Sequence, residues 1–515
     1  MKIVIVGAGT AGWITALYLA NKNIRKDGQT PYQITVIESK NIPIIGAGEG
    51  STASLYSMLK KNLKNLKGLN QTEFFKKTNA TIKLGLNCKD WNGDGAEFKV
   101  PLQPSSTSTL TAIDFDYMLA TAYESSYLSS PMGIPWDVNT VPFHSASFND
   151  ISGGYGYHFD AHKVGEYFKE VALQNNVECI QADVVETDVD ESGNLVALTL
   201  DNGNTILSDM WFDCTGFNKT LINSVGGKWK SYSDYLPCNK AMPYLYEYEE
   251  NETIKPETLA WAMPNGWMWQ IPTQERYGCG YVYSDKFITD EQALEEVQRI
   301  TGRKIEPVRV ISFDPGKQER VWINNVMAVG LSSNFLEPME ATSIHSTIMQ
   351  LEIFTTMYLG IDSYETIFET NINKYNLAFS KVFDSYRDLI QIHYITKRED
   401  SDFWKWVNNE MPKTDKVKEI IEICKYKCPS PFDFDNIIGA AGWGTWSNVV
   451  SGLGILQKRI ACNTLWGNDL HNDSEQNFDK MMHHYYKHTK NFITHNEFIK
   501  FIKTEKINNL YLSKT

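Results

Sequence analysis

The chain has 515 residues, 42% hydrophobic and 22% charged, enough for one large domain or two to three smaller ones and for burying a large ligand. A net charge of -13 and a pI near 5.4 make a surface that repels phosphate backbones, which argues against a nucleic-acid partner. Mean hydropathy is -0.35, and no apolar run reaches the roughly 20 residues of a membrane helix, so no membrane partner is expected.

Residues 2–6 (Lys-Ile-Val-Ile-Val) predict a buried strand, residues 11–21 a helix and residues 34–38 a second strand, together a β-α-β unit. The apolar stretch behind Lys2 has a faint likeness to an export signal. Gly7, Gly9 and Gly12 interrupt it, however, and a cofactor loop accounts for them better, so no export is expected. In Gly7-Ala8-Gly9-Thr10-Ala11-Gly12, Gly7 permits a tight turn, Gly9 admits a pyrophosphate to the backbone, and Gly12 lets helix and strand pack closely. The helix N-terminus then meets the phosphates with free N–H groups. Glu38, closing the second strand, is placed to bind ribose hydroxyls. Strand, loop, helix and Glu38 together predict dinucleotide binding, with NAD and FAD both open at this point. The competing reading is a glycine-rich turn in an unrelated α/β fold.

Further along, Gly46-Ala47-Gly48-Glu49-Gly50-Ser51-Thr52 reads by itself as a flexible polar loop. Lys83 sits in a largely apolar, strand-like run over residues 79–86. It either snorkels to water or is held in a pocket, and for an isolated lysine snorkelling is favoured. Ala161–Gln174 predicts a helix and Asp201-Asn202-Gly203 a hairpin, followed by an apolar strand, Met210–Asp213, and a turn at Asp213-Cys214-Thr215-Gly216. Trp267 and Trp269 lie two apart on a strand and share a face; alone they read as a core pair. The segment 330–343 runs from a strand through a turn into a helix, where the N–H groups of Thr342 and Ser343 can hold a small anion. Glu340 beside them is either a functional carboxylate or a helix-capping acid. From about residue 344 the pattern is mostly helical. The eight cysteines (Cys88, Cys179, Cys214, Cys238, Cys279, Cys424, Cys428 and Cys462) form no CxxC pair. No metal site is expected, and reduced thiols in a cytoplasm are the simplest reading.

Taken together, these motifs resemble the flavin-dependent tryptophan halogenase family. The resemblance rests on Gly7 to Gly12 with Trp13, on Lys83 followed by Trp91, on Trp267-Met268-Trp269-Gln270-Ile271-Pro272, and on Phe335-Leu336-Glu337-Pro338-Met339-Glu340. It includes His158-Phe159-Asp160-Ala161, Asp213 to Gly216, and His393-Tyr394 with Arg398, Asp400, Phe403 and Trp404. It implies an α/β (α+β) fold: an FAD-binding Rossmann-like core of the aromatic hydroxylase type with an inserted β-sheet, over residues 1–350, and a mainly helical C-terminal subdomain over 351–515. It further implies that FAD, supplied reduced by a separate flavin reductase, reacts with O2 and halide to give hypohalous acid, which halogenates a small aromatic substrate. Gly7, Gly9, Thr10, Ala11, Gly12, Glu38, Gly48, Glu49, Gly330 and Leu336 would bind the cofactor. Thr342 and Ser343 would bind halide, and Trp267, Trp269 and Pro272 would line a tunnel. Lys83 and Glu340 would be catalytic, and a homo-oligomer is expected.

The chain departs from the family in three places, one of them residues 95–150, which match it poorly. Over residues 433–446 it lacks the tyrosines and glutamate that grip an amino acid backbone and offers Trp443 and Trp446 as substrate contacts; Ser343 replaces a glycine at the halide site. An indole- or phenol-like substrate is therefore expected in place of free tryptophan, with bromide or iodide as well as chloride. The alternatives are an FAD-dependent aromatic monooxygenase and a catalytically silent flavin-binding protein.

Overall fold

The structure, a computed structural model, describes residues 1–24, 30–41, 48–102, 139–144, 155–359, 369–435, 440–457, 460 and 492–504. Gly46, Ala47, Cys462 and residues 436–439 of the 433–446 stretch lie outside the described residues.

The first apolar run forms the strand Lys2–Val6, buried from Ile3 onward. It is central in a six-stranded sheet ordered Trp322–Ile323, Val326–Ala328, Met210–Asp213, Lys2–Val6, Gln33–Glu38, Val177–Gln181. Val6 is in register with Asp213 on one side and Ile37 on the other, both in parallel pairings. Strands that continue the chain thus lie on both sides of Lys2–Val6, which opens a crevice at its carboxyl end where α/β sheets bind ligands. The helix Thr10–Lys22 starts at that crevice.

A second, seven-stranded sheet combines distant segments in the order Ile311–Ser312, Lys240–Glu247, Arg276–Tyr283, Gly266–Pro272, Glu257–Met263, Gly85–Lys89, Glu97–Pro101. A third sheet joins Glu49–Gly50, Gly156–Phe159 and Thr81–Lys83. The run expected as one strand over 79–86 is therefore two, in different sheets. Leu84 is the switch: its N–H donates to the Pro256 carbonyl at 2.8 Å and its carbonyl accepts from the Leu102 N–H at 3.0 Å. Lys83 is the last residue before that switch.

The helical stretch contains Thr342–Met357, Glu369–His393, Asp402–Asn409, Asp415–Ile423 and Trp443–Gly452. One buried apolar cluster runs from Ile3 and Trp13 through Trp267 and Phe354 to Trp404, Trp446 and Phe498. It crosses residue 350 without a break. Among the described residues no helix is long and apolar enough to cross a membrane.

Candidate active site

The crevice beside Lys2–Val6 is shaped for a dinucleotide. Gly7 has φ +105°, and a Cβ there would stand 2.1 Å from the Cys214 carbonyl oxygen. A Cβ at Gly12 would stand 1.9 Å from the Gly7 oxygen, while at Gly9 it would meet nothing within 4 Å. Two glycines thus hold the backbone tight, and the third leaves it open to a ligand. Gly9 precedes Thr10–Lys22, which has neither a side-chain cap nor an acidic residue in its first turn, so its N-terminal N–H groups and dipole suit a pyrophosphate. Gly330, at φ +67°, faces Ala11: a Cβ there would lie 2.5 Å from that of Ala11. Glu38 ends its strand with Oε2 held by Lys169 at 2.5 Å and Gln181 at 3.3 Å. Burial alone would raise its carboxyl, but these hydrogen bonds bring it below the usual range and keep it an acceptor for hydroxyls. Leu336 is buried, and Gly48 and Glu49 are half-buried. These residues fit FAD.

Lys83 does not snorkel, contrary to the expectation for an isolated lysine. It is 2% exposed because its strand pairs on one edge with Gly156–Phe159 and meets the sheet switch at Leu84. Burial draws its ammonium down to about 8, with Glu340 opposing the fall. Gly50 makes room for it, since a Cβ there would lie 3.2 Å from Lys83 Nζ and 3.5 Å from His158 Cδ2. His158 Nε2 lies 2.7 Å from Thr258 Oγ1; burial first, then Lys83 and His495, keep its imidazole neutral.

Lys83 and Glu340 open onto one pocket of about 180 Å³. Its remaining described walls include the apolar Leu86, Val100 and Leu102, the small Ala440, Ala441 and Gly442, and the polar Tyr386 and His345. Thr342 also lines it. Glu340 precedes Ala341, a non-glycine residue at φ 53°, a conformation costing roughly 1–2 kcal/mol. That turn starts the helix Thr342–Met357 directly beside Glu340, with no side-chain cap and no acid in the first turn. Glu340 Oε1 also lies 3.1 Å from His393 Nε2.

Trp267 and Trp269 share a face of Gly266–Pro272, their ring centroids 6.3 Å apart. Trp267 is wholly buried, and its Nε1 donates to Glu337 Oε2 at 2.8 Å. Tyr394 donates to the same oxygen. Burial pushes the Glu337 carboxyl up to about 7 against these two donors. Trp269 fits only because its cross-strand neighbour is Gly280, whose added Cβ would lie 2.0 Å from the indole. Pro272, also buried, accepts at its carbonyl from Thr81 Oγ1 at 2.6 Å, tying this strand to that of Lys83.

Trp446 faces inward: it is 1% exposed and its ring lies 5.5 Å from Phe434. Neither Trp446 nor Trp443 is among the residues lining the pocket, where the same helix presents Thr445 and the preceding turn Ala440 to Gly442. A helical side chain's direction follows its turn, which residue type does not disclose. Sequence reasoning also gave no role to Gly280, Glu337 or His495. Glu337 lay within a motif already noted; His495 carried no local signal.

Comparison with known proteins places this arrangement among relatives. A family model described as tryptophan halogenase matches residues 2–463. The chain is 28% identical over 457 residues to the tryptophan 6-halogenase ThaL of Streptomyces albogriseolus, covering 83% of this chain and 82% of that protein. It is 27% identical over 448 residues to the tryptophan 7-halogenase RebH of Lentzea aerocolonigenes, covering 82% and 81%. Among solved structures it is similar to Tar14, a tryptophan C-6 flavin-dependent halogenase from taromycin biosynthesis, with a TM-score of 0.86, 27% identity, and 98% and 99% of the two chains covered.

Proposed function

Because this chain belongs to the tryptophan halogenase family, a family of flavin-dependent enzymes, we propose that it halogenates a flat aromatic substrate without an amino acid backbone, indole- or phenol-like, and takes bromide or iodide as readily as chloride. The observation that carries this reading is the pocket's charge inventory. Among its described lining residues, Lys83 and Glu340 are the only lysine and the only carboxylate. If both serve the chemistry, His345 is the other titratable base of the lining, and no second carboxylate among the described lining residues is left to pair with a substrate's ammonium; a buried charge without a partner is costly. A site without such partners discriminates weakly between analogues.

FAD, held in the crevice by Gly7 to Gly12 and Glu38 and supplied reduced by a separate reductase, would provide with O2 the oxidising equivalent that turns halide into hypohalous acid. The chain's own residues do the rest. The uncapped amides at Thr342 and Ser343 hold the halide with dipoles in place of a full charge. The walls around Trp267, Trp269 and Pro272 exclude water that would dilute a reactive oxidant. The Lys83 ammonium donates a hydrogen bond to the hypohalous oxygen. Glu340 accepts the proton lost from the arene. Heavier halides are favoured because they give up electrons and shed hydration more readily.

The test is a competition of free tryptophan against indole and simple phenols, each with chloride, bromide and iodide, using reduced FAD and mass spectrometry. Halogenated indole or phenol is expected to dominate. A clear preference for free tryptophan with chloride would overturn both the substrate and the halide assignment.

A further inference from the structure

Glu337 is fully buried and has no part in the chemistry above, yet three elements meet at its carboxylate. Its Oε2 accepts from Trp267 Nε1 at 2.8 Å, on the strand Gly266–Pro272, and from the hydroxyl of Tyr394, just past the helix Glu369–His393. Glu337 itself opens the turn Pro338–Glu340. Trp267 is wholly buried, and an indole N–H only donates, so it needs an acceptor there. Burial keeps Tyr394 a protonated phenol. Its ring lies 5.6 Å from Trp91 and 6.0 Å from Trp404, which aims the hydroxyl. A hydrophobic side chain would suit these aromatic surroundings better than a carboxylate, so the two donors account for the presence of Glu337.

We propose that Glu337 is a positioning residue for halogenation: one carboxylate oxygen locks the tunnel wall at Trp267 to the turn that carries Glu340 and the halide-side amides. The chain between pin and site is short. Pro338 has its φ fixed by its ring, the Met339 N–H donates to the Glu337 carbonyl at 2.9 Å, and Met339 is buried. Glu340 follows, then Ala341 at φ 53° and the first amides of Thr342–Met357. A non-glycine residue at positive φ persists only where its surroundings over-determine it, and Glu337 holds the other end of that turn. Leu336, expected against the cofactor, directly precedes Glu337. Along the chain, then, the pin stands between a cofactor contact and the pocket of Lys83 and Glu340.

The role asks for an acceptor of the right reach and for neither a charge nor a mobile proton. Burial raises the Glu337 carboxyl to about 7, against Tyr394, Trp267, the Cys238 backbone and His393, so near neutral pH it can take up a proton. That proton goes to Oε1, because Oε2 already faces two donors, and Oε2 accepts in both states. Glutamine keeps such an oxygen at the same reach and carries no charge. Aspartate keeps the charge and draws its oxygens back by about one C–C bond, roughly 1.5 Å.

The proposal rests on the reading of a confined oxidant, so one arm of its test needs no turnover. In the full chain carrying 15N-tryptophan, the Trp267 indole resonance is assigned by its loss in Trp267→Phe. Its N–H proton is expected downfield, as in a hydrogen-bonded indole, in the unsubstituted protein and in Glu337→Gln, and to move upfield in Glu337→Asp. In turnover with reduced FAD, halide and arene, a 1,3-dione in solution traps escaping oxidant. Glu337→Gln is expected to keep the unsubstituted yield of haloarene per O2 consumed. Glu337→Asp is expected to lose about 10²-fold in that yield, while O2 consumption holds and halogenated dione rises. A Trp267 bond kept with the yield lost, or lost with the yield kept, overturns the proposal in either variant. Glu337→Asp that matches the unsubstituted protein in both readouts overturns it too, as does Glu337→Gln that loses both while Glu337→Asp keeps them. A protein that makes neither haloarene nor halogenated dione refutes the halogenase reading instead, and the Trp267 resonance then decides the pin by itself.

Discussion

At the scale of single residues, Lys83 carries a tension between stability and chemistry. Its ammonium is lowered by burial to about 8, against about 10.4 in an unfolded chain. Below pH 8 it is charged in both states, and the folded state bears the whole cost of burying the charge. Between the two values the unfolded chain binds more protons, so stability rises with pH. Lys83→Met is therefore expected to stabilise the fold by about 3 kcal/mol at pH 7, a gain that fades by pH 10.5, while product formation stops. Urea denaturation at several pH values checks the first half. Following FAD oxidation beside product checks the second: oxidation should continue at its usual rate. A destabilised Lys83→Met would mean that the amine holds the site together and does not strain it.

Elements, in turn, depend on partners they do not contain. The strand Gly266–Pro272 can seat Trp269 only opposite Gly280. Gly280→Ala is expected to cost roughly 1–3 kcal/mol through overpacking, and Trp269→Leu in the same chain should recover much of it. A double-mutant cycle in urea tests this; simple additivity would place the strain elsewhere. The strand of Lys83 leans likewise on the helix His495–Lys503. The Ile82 N–H donates to His495 Nε2 at 3.3 Å, and His495 Nδ1 lies 3.2 Å from the Ile254 carbonyl. Burial lowers His495 to about 4, below an unfolded value near 6.5. As pH falls from 6.5 to 4, the unfolded chain gains the proton first, and about 3 kcal/mol of stability is lost. His495→Ala should be less stable at pH 7 by roughly 1–3 kcal/mol, with Ile82 left unpaired, and should show a shallower acid loss. An acid profile unchanged by the substitution would assign that loss to His158 or to carboxylates.

For the molecule as a whole, the Gly-rich fingerprint Gly7 to Gly12 lies at the switch point beside Lys2–Val6, where FAD is expected to sit. The chain is thus expected to bind FAD but to lack an NAD(P)H site of its own. Stopped-flow mixing of protein, FAD and NADH should show only the slow background reduction of flavin; fast reduction with no added reductase would refute this.

The glycine turn that opens the crevice beside Lys2–Val6 was legible in the sequence because its backbone geometry is local. Gly7, Gly9 and Gly12 lie in one short stretch at the start of the helix Thr10–Lys22, and their backbone demands follow from residue type alone. The strands at 2–6 and 34–38 were legible through apolar periodicity, which a buried parallel strand requires. The tertiary structure decided what depends on distant neighbours. Lys83 looked more like a snorkelling lysine until Gly50, His158 and the switch at Leu84 enclosed it. The Trp446 side chain went to the core because its place on the helix turned it there. The contact of His495 with Ile82, 413 residues apart, and the 3.1 Å approach of His393 to Glu340 leave no trace in any window of sequence. Such contacts are set by which surfaces meet on folding, and burial there turns an ordinary lysine, glutamate or histidine into a group with altered proton affinity.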